Sequence, residues 1–177
     1  MDLPLHPKIV HLPIALAVLM PLLTSGILLA MWREWFTKRV WSLVIAGQFL
    51  LVGSGYLALQ SGEEDEERVE RVVAESVIEE HAEAGERFEW GGALLLGISV
   101  LPLLLRKRSH VLIAGAATCI GTFAVLGLGY QVGQKGGHLA LKPLHQFKRE
   151  IEEVTRSAGR VQHADIAELT VEGADGF

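Results

Sequence analysis

The pattern of charge along this chain contains four long gaps. No Asp, Glu, Lys or Arg occurs in residues 9–32, 40–62, 90–105 or 109–134. A soluble domain distributes charge along amphipathic elements, so apolar runs of this length are typical of membrane-spanning helices. The hydrocarbon core of a bilayer requires roughly 20 helical residues, which three of the four runs supply. The run 90–105 is short, and it spans only if Phe88 is added and its basic neighbours snorkel.

This pattern predicts an all-α fold, an integral membrane bundle of four helices in up-down-up-down order. The expected spans are about residues 8–32, 40–60, 88–105 and 110–133, within a transmembrane domain that covers 1–147.

A strongly acidic segment separates the second run from the third. Residues 63–89 contain twelve acids and three arginines, together with apolar residues at helical spacing. This pattern predicts an amphipathic helix outside the membrane that continues, or turns, into the third span. After the fourth span, residues 148–177 are expected to form a polar C-terminal helix and a weakly ordered tail.

The overall composition excludes several classes of protein. The 177 residues are 50% hydrophobic and carry a net charge of −5. The single cysteine, Cys119, cannot form an internal disulfide or a cysteine-rich metal cluster. A mildly acidic chain without a basic patch has no nucleic-acid footprint. The sequence contains neither a phosphate loop nor a Gly-x-Ser-x-Gly nucleophile motif, so it indicates no enzyme chemistry.

The short loops predict the orientation of the bundle. Four spans place both termini and the acidic segment on one side, called side A. They leave the loops 33–39 and 106–109 on the other side, called side B. The side B loops carry six Lys and Arg against one acid, which the positive-inside rule assigns to the cytoplasm. We therefore expect both termini to be extracytoplasmic.

Histidines are the candidate functional residues. Five of the seven are predicted on side A near the membrane boundary: His6, His11, His81, His138 and His145. Imidazole is the commonest transition-metal ligand and a usual axial ligand of haem iron. Glu80, next to His81, could fix the imidazole tautomer, join a metal site or remain solvated. A purely structural role for the histidines stays open, because most residues outside the membrane lie on side A.

Two cofactors are compatible with these histidines. A b-type haem needs two histidines on facing helices at the same depth, whereas a transition-metal ion would be bound by His6, His11, His81 and Glu80. His81 lies nine residues before the third apolar run, or roughly 13 Å along a continuous helix. This offset counts against a simple His11 and His81 pair deep in the membrane, and it leaves room for a site at the outer rim or for a tilted third helix. His138 or His145 would complete either site.

The first residues of the chain resemble a known family. The pattern His6-Pro7-x-x-Val10-His11-x-Pro13 is similar to the opening signature of a bacterial family of small integral membrane proteins, catalogued as domain of unknown function 2231. The resemblance covers about residues 6–147.

Later motifs extend this resemblance. The acidic helix ending in Glu79-Glu80-His81 and the sequence Gly136-Gly137-x-Leu139 are similar to the family. Two departures stand out: Leu12 replaces the usual Phe, and Pro143-Leu144 stands where the family often has a His-Gly pair. The resemblance implies a four-helix protein of a bacterial inner membrane, carries over His6, His11 and His81, and implies no established activity.

These features predict membrane redox chemistry. Haem b or a transition-metal ion on the extracytoplasmic side would exchange electrons with a quinone or a periplasmic partner, while the protein supplies ligands, orientation and a low-dielectric pocket. The alternative is a non-catalytic membrane subunit or scaffold without a cofactor, which binds a partner through its acidic helix and its tail.

Overall fold

The computed structural model describes residues 9–69 and 74–172, with side chains for 9–63, 74–137, 147–149 and 151–156. Across the described ranges the secondary structure is helical and includes no strand. His6, residues 70–73 of the acidic segment and the last five residues of the predicted tail lie outside the described residues.

Five α-helices and one 3-10 helix make up the described chain, and their bounds are as follows. Helix α1 spans His11–Trp32, the 3-10 helix spans Lys38–Trp41, and α2 spans Ser42–Val69. Helix α3 spans Glu75–Ser99, the one-turn helix α4 spans Leu101–Leu104, and α5 spans Arg108–Glu172.

Within the described residues, four helical segments are long and apolar enough to cross a membrane. They are His11–Trp32, Lys38–Glu63, Glu75–Leu104 and Arg108–Gly137. The prediction of an all-α chain with four such helices is therefore confirmed, and it is consistent with a multi-pass membrane protein.

The helices extend beyond the apolar runs that predict them. Helix α2 continues past residue 60 to Val69, and the first turns of α3 belong to the acidic segment. Glu and Arg are good helix formers, so a change from apolar to charged residues does not end a helix. Helix α5 likewise continues through Gly136 and Gly137, where the fourth apolar run has already ended.

The chain divides into two compact units, Met1–Leu139 and Ala140–Phe177. The core of the first unit is formed by buried apolar side chains from α1, the 3-10 helix, α2, α3 and α5. Its largest member is Trp41, which is fully buried and donates a hydrogen bond from Nε1 to the carbonyl of Ser99 at 2.8 Å. In the second unit, Lys148 and Glu152 form an exposed i, i+4 ion pair with an N to O distance of 4.0 Å.

Glycines bring α2 close to its two neighbours. A Cβ placed on Gly47 of α2 would lie 2.6 Å from Sδ of Met20 on α1. A Cβ on Gly92 of α3 would lie 3.4 Å from Cδ2 of Leu51 on α2. At both contacts a large side chain from one helix occupies the space that a glycine leaves on the other, as is common between membrane helices.

Helix α5 makes contacts of the same kind. A Cβ on Gly115 would lie 2.8 Å from Cδ1 of Leu28 on α1, and one on Gly121 would collide with Cδ1 of Leu95 on α3. Each of these four helix contacts therefore contains a glycine opposite a large apolar side chain.

The turn after α1 has a defined C-terminal cap. Glu34 has a positive φ of 63°, the N–H of Trp35 donates to the carbonyl of Ala30 at 2.9 Å, and the N–H of Glu34 donates to the carbonyl of Met31 at 3.2 Å. This pair of hydrogen bonds is the Schellman motif, which usually places glycine at the position that Glu34 occupies here.

Candidate functional site

Of the five predicted site histidines, two have side chains that the structure describes, and three do not. His11 is the first residue of α1 and its side chain is exposed, whereas His81 on α3 is half-buried. His6 lies outside the described residues. His138 and His145 belong to α5, but their side chains are not among those described.

His81 packs onto α5 at Gly136. A Cβ placed on Gly136 would lie 3.1 Å from Cε1 of His81, 3.6 Å from Nδ1 and 3.8 Å from Nε2. Three ring atoms therefore lie close to one backbone position, and a residue larger than glycine would push the imidazole away. Gly136 belongs to the Gly-Gly pair that the sequence analysis noted, and this contact gives the first glycine a physical role.

Lys135, the neighbour of Gly136 on α5, contacts Glu80, the neighbour of His81 on α3. Its Nζ donates a hydrogen bond to the backbone carbonyl of Glu80 at 3.1 Å and lies 4.0 Å from the carboxylate Oε2 of that residue. The ammonium offsets part of the negative charge of Glu80. The contact also ties α3 to α5 beside His81.

No group of three His, Cys, Asp or Glu side chains able to hold a metal ion occurs among the described residues. The described side chains therefore do not assemble the set of His11, His81 and Glu80 as one compact cluster. A haem needs only two axial ligands from the protein, so this finding bears on a small-ion site more than on a haem site.

Glu89 is an acidic residue that the sequence analysis did not single out. It is half-buried on α3, its Oε2 has no hydrogen-bond partner within the described chain, and this oxygen lies against Gly55 of α2. Its immediate neighbours are Phe88, which is buried, and Trp90, which is exposed. The signal in the sequence is an acid between two aromatic residues at the last position of the acidic segment.

Polar side chains also occupy the middle of the bundle. Thr24 and Gln48 are 0% and 1% exposed, and their Oγ1 and Oε1 atoms have no hydrogen-bond partner in the described part of the chain. The buried hydroxyl groups of Thr118 and Thr122 instead donate to carbonyls of their own helix, at 2.9 and 2.6 Å.

Comparison with known proteins identifies no relative, since the chain matches no protein-family model, no curated protein and no solved structure. The resemblance to domain of unknown function 2231 therefore stays a prediction based on the motifs quoted above.

Proposed function

We propose that this protein is a four-span membrane redox protein that holds haem b or a transition-metal ion at the end of the bundle containing His11 and His81. One observation carries the proposal. A Cβ on Gly129 of α5 would lie 3.7 Å from Cβ of Ala17 on α1 and 3.2 Å from Cε2 of Phe88 on α3. Ala17 and the ring of Phe88 therefore meet α5 at the same level along the bundle axis.

The two histidines lie at similar distances from that level. His11 precedes Ala17 by six residues, about 9 Å of helix, and His81 precedes Phe88 by seven, about 10 Å, at the rise of an α-helix. If α1 and α3 run in the same direction, the histidines share one depth. The depth difference between His11 and His81 that the apolar runs predict then disappears. The reason is that Ala17, eight residues after the start of the first run, is the residue level with Phe88.

The proposed helix order is up-down-up-down, and the contacts with α5 support it. On α1, Ser25 contacts Cys119 with an Oγ to Sγ distance of 3.2 Å, while Ala17 lies near Gly129. Residue numbers therefore fall along α1 as they rise along α5, as expected for antiparallel helices.

Helix α3 has the same relation to α5. His81 lies against Gly136, and Leu95 lies against Gly121. Helices α1 and α3 are then parallel to each other, which is the condition for a shared depth of the two histidines.

The acidic first turns of α3 support an amphipathic extension beyond the membrane. Ile78 and Ala84 are buried, whereas Glu79, Glu83 and Glu86 are exposed. We place this end outside the cytoplasm of a bacterial inner membrane, with both termini on the same side, because the basic loops lie at the opposite end.

Three features of this end support an iron-porphyrin ligand in the proposal. His81 is oriented by its packing on Gly136, and the contact between Lys135 and Glu80 links α3 to α5 beside it. His11 presents an exposed imidazole at the same depth. Bound haem would supply a one-electron carrier between a quinone in the bilayer and an extracytoplasmic partner.

An optical spectrum with metal analysis of the purified full chain tests this proposal. We expect a Soret band that shifts on reduction and is lost in His81→Ala and in His11→Ala. The matched control is His110→Ala, at the exposed histidine of side B, which should keep the band. One equivalent of copper or zinc, lost in the same two variants, would instead support the metal-ion form. A colourless, metal-free protein from haem-sufficient cells would contradict both forms.

Topology needs a separate measurement. A reporter fused after Phe177 should be active outside the cytoplasm, and cytoplasmic activity would overturn the proposed orientation.

A scaffold function is the second candidate, and one observation favours it. In the second unit, Phe147, Ile151 and Val154 are 62%, 50% and 66% exposed and lie on one face of α5 by their i, i+4, i+7 spacing. Such a stripe fits a partner helix. Co-purification of a partner that is lost in Phe147→Ser/Ile151→Ser, with no cofactor bound, would favour this function over the first.

A further inference from the structure

A groove opens between α1 and α5 near side B. Its volume is about 360 Å³, and it is lined by Ser25, Leu28, Leu29, Trp32, Leu112 and Cys119. The lining is almost entirely apolar, and Leu29 and Trp32 are about half exposed. The volume is comparable to the smaller sites for small molecules, which begin at about 300 Å³.

The groove covers only part of the length of the helices. Ser25 and Trp32 are seven residues apart on α1, which corresponds to about 10 Å of helix. This length is about one third of the hydrocarbon core. A ligand in the groove would therefore lie within the membrane layer, with one end at the side B surface.

The mouth of the groove is basic. Arg108 donates a hydrogen bond from Nη2 to the carbonyl of Trp32 at 2.9 Å, and the guanidinium of Arg33 lies 5.3 Å from the centre of the Trp32 ring system. Lys107 is exposed beside Arg108. Glu34 pairs with Arg108 and offsets one charge, so Arg33, Lys107 and Arg108 together with Glu34 carry a net charge of +2.

A second contact ties the first side B loop to the residues just before the second loop. Lys38 donates hydrogen bonds from Nζ to the carbonyls of Leu103 and Leu105, at 2.9 and 3.0 Å. Trp35 and Phe36, both more than half exposed, add the aromatic residues that favour the headgroup region of a membrane.

We infer that this groove binds an anionic phospholipid of the side B leaflet, with an acyl chain against Leu29 and Leu112 and its phosphate beside Arg33 and Lys107. An apolar groove within the membrane layer requires a ligand with an apolar chain, and a cationic mouth at its end requires a negative headgroup. A zwitterionic lipid satisfies the first condition but gains much less from the second. The inference depends on the helices lying in a membrane and is independent of any cofactor.

The single cysteine of the chain provides a probe inside the groove. Maleimide labelling of Cys119 is measured on the full-length protein in neutral detergent, with phosphatidylglycerol or phosphatidylcholine of identical acyl chains. We expect phosphatidylglycerol to protect Cys119 at a concentration about 25-fold lower, since each of the two basic residues beside the phosphate contributes roughly fivefold in affinity. Glycerol phosphate, which lacks acyl chains, should give no protection.

Two double variants test whether the preference for phosphatidylglycerol comes from the basic residues at the mouth of the groove or from the overall positive charge of the protein. Arg33→Gln/Lys107→Gln should reduce protection by phosphatidylglycerol to the level of phosphatidylcholine. Arg68→Gln/Arg87→Gln removes the same charge from the acidic segment 63–89 and should keep the preference. Equal protection by both lipids in the unmodified protein, or a preference that persists in Arg33→Gln/Lys107→Gln, would overturn the inference.

A variant that fills the groove gives an independent readout. Ser25→Leu should abolish retention of phosphatidylglycerol in native mass spectrometry, and full retention would contradict the assignment of the groove. If Ser25→Leu does not fold, the labelling of Cys119 in the unmodified chain still decides the question.

Discussion

The carboxylate oxygen Oε2 of Glu89 lies against Gly55, where α3 contacts α2, and it has no hydrogen-bond partner in the described part of the chain. Gly55→Ala would place a methyl group at the position of this oxygen. Because the carboxylate is the end of a flexible side chain, we expect it to rotate toward solvent, where it regains hydrogen bonds. The free energy of unfolding should then rise by about 1 kcal/mol, the preference of a helix for alanine over glycine.

Gly53→Ala is the matched control for this substitution, since a Cβ at Gly53 meets no atom within 4 Å. Both variants are measured by unfolding in the same detergent. If Gly55→Ala loses stability while Gly53→Ala gains it, the carboxylate of Glu89 is held in place by a favourable interaction.

The contact between His81 and Gly136 is tested by a second matched pair of glycine substitutions. Gly136→Ala would bring a methyl group to 3.1 Å from Cε1 of His81, whereas a Cβ at Gly137 has open space. Overpacking costs roughly 1–3 kcal/mol, so Gly136→Ala should be less stable than Gly137→Ala by about that amount. Under the proposed function, only Gly136→Ala should also weaken the Soret band. Equal stability and equal spectra would show that His81 is not confined by α5.

Gln48 provides a test of the polar interior. Its amide oxygen is buried without a partner in the described chain, so Gln48→Leu should raise the free energy of unfolding by about 1–3 kcal/mol, the cost of an unsatisfied buried polar group. Gln60→Leu, at an exposed site, should change it by less than about 0.5 kcal/mol. A loss of stability in Gln48→Leu would mean that water or another ligand satisfies the amide.

Trp41 has the largest side chain among the fully buried residues, and its substitution should be severe. Trp41→Phe removes the hydrogen bond to the carbonyl of Ser99 and leaves a cavity. We expect a loss of about 2–4 kcal/mol in the free energy of unfolding. Trp90→Phe is the control because Trp90 is 76% exposed and should change stability little. Similar effects of the two substitutions would show that the hydrogen bond and packing of Trp41 contribute little.

The positive φ of Glu34 leads to a prediction for the side B turn. Glu34→Gly and Glu34→Ala both remove the ion pair with Arg108, so the comparison between them isolates the backbone. A left-handed conformation costs an L-residue about 1–2 kcal/mol relative to glycine. Glu34→Gly should therefore be more stable than Glu34→Ala by about that amount in chemical denaturation, and the opposite order would exclude this account of the cap.

The four helices long and apolar enough to cross a membrane can be predicted from the sequence because charge is costly in hydrocarbon, so its absence marks each candidate span directly. Helix ends cannot be predicted in the same way. Helix α2 continues through Glu63 to Val69 because charged residues permit a helix as readily as apolar ones do.

The candidate site is predictable only in part. His81 follows from its place in a motif, whereas its packing on Gly136 depends on the register between α3 and α5. That register is set by contacts such as Leu95 against Gly121, which involve residues distant in the sequence. The burial of Glu89 against Gly55 has the same origin, since a local pattern does not reveal which glycine faces an acid.

The glycines at the four helix contacts bear on how the bundle assembles. Lipid tails are as apolar as the helices, so burial of apolar surface does not draw inserted helices together, and close packing has to do so. A shift of α1 by one turn, about 5.4 Å, would move Met20 away from Gly47 and bring large side chains into collision. Each glycine therefore permits one alignment of its helix pair, and the same residues that allow close approach also select the correct partner during assembly.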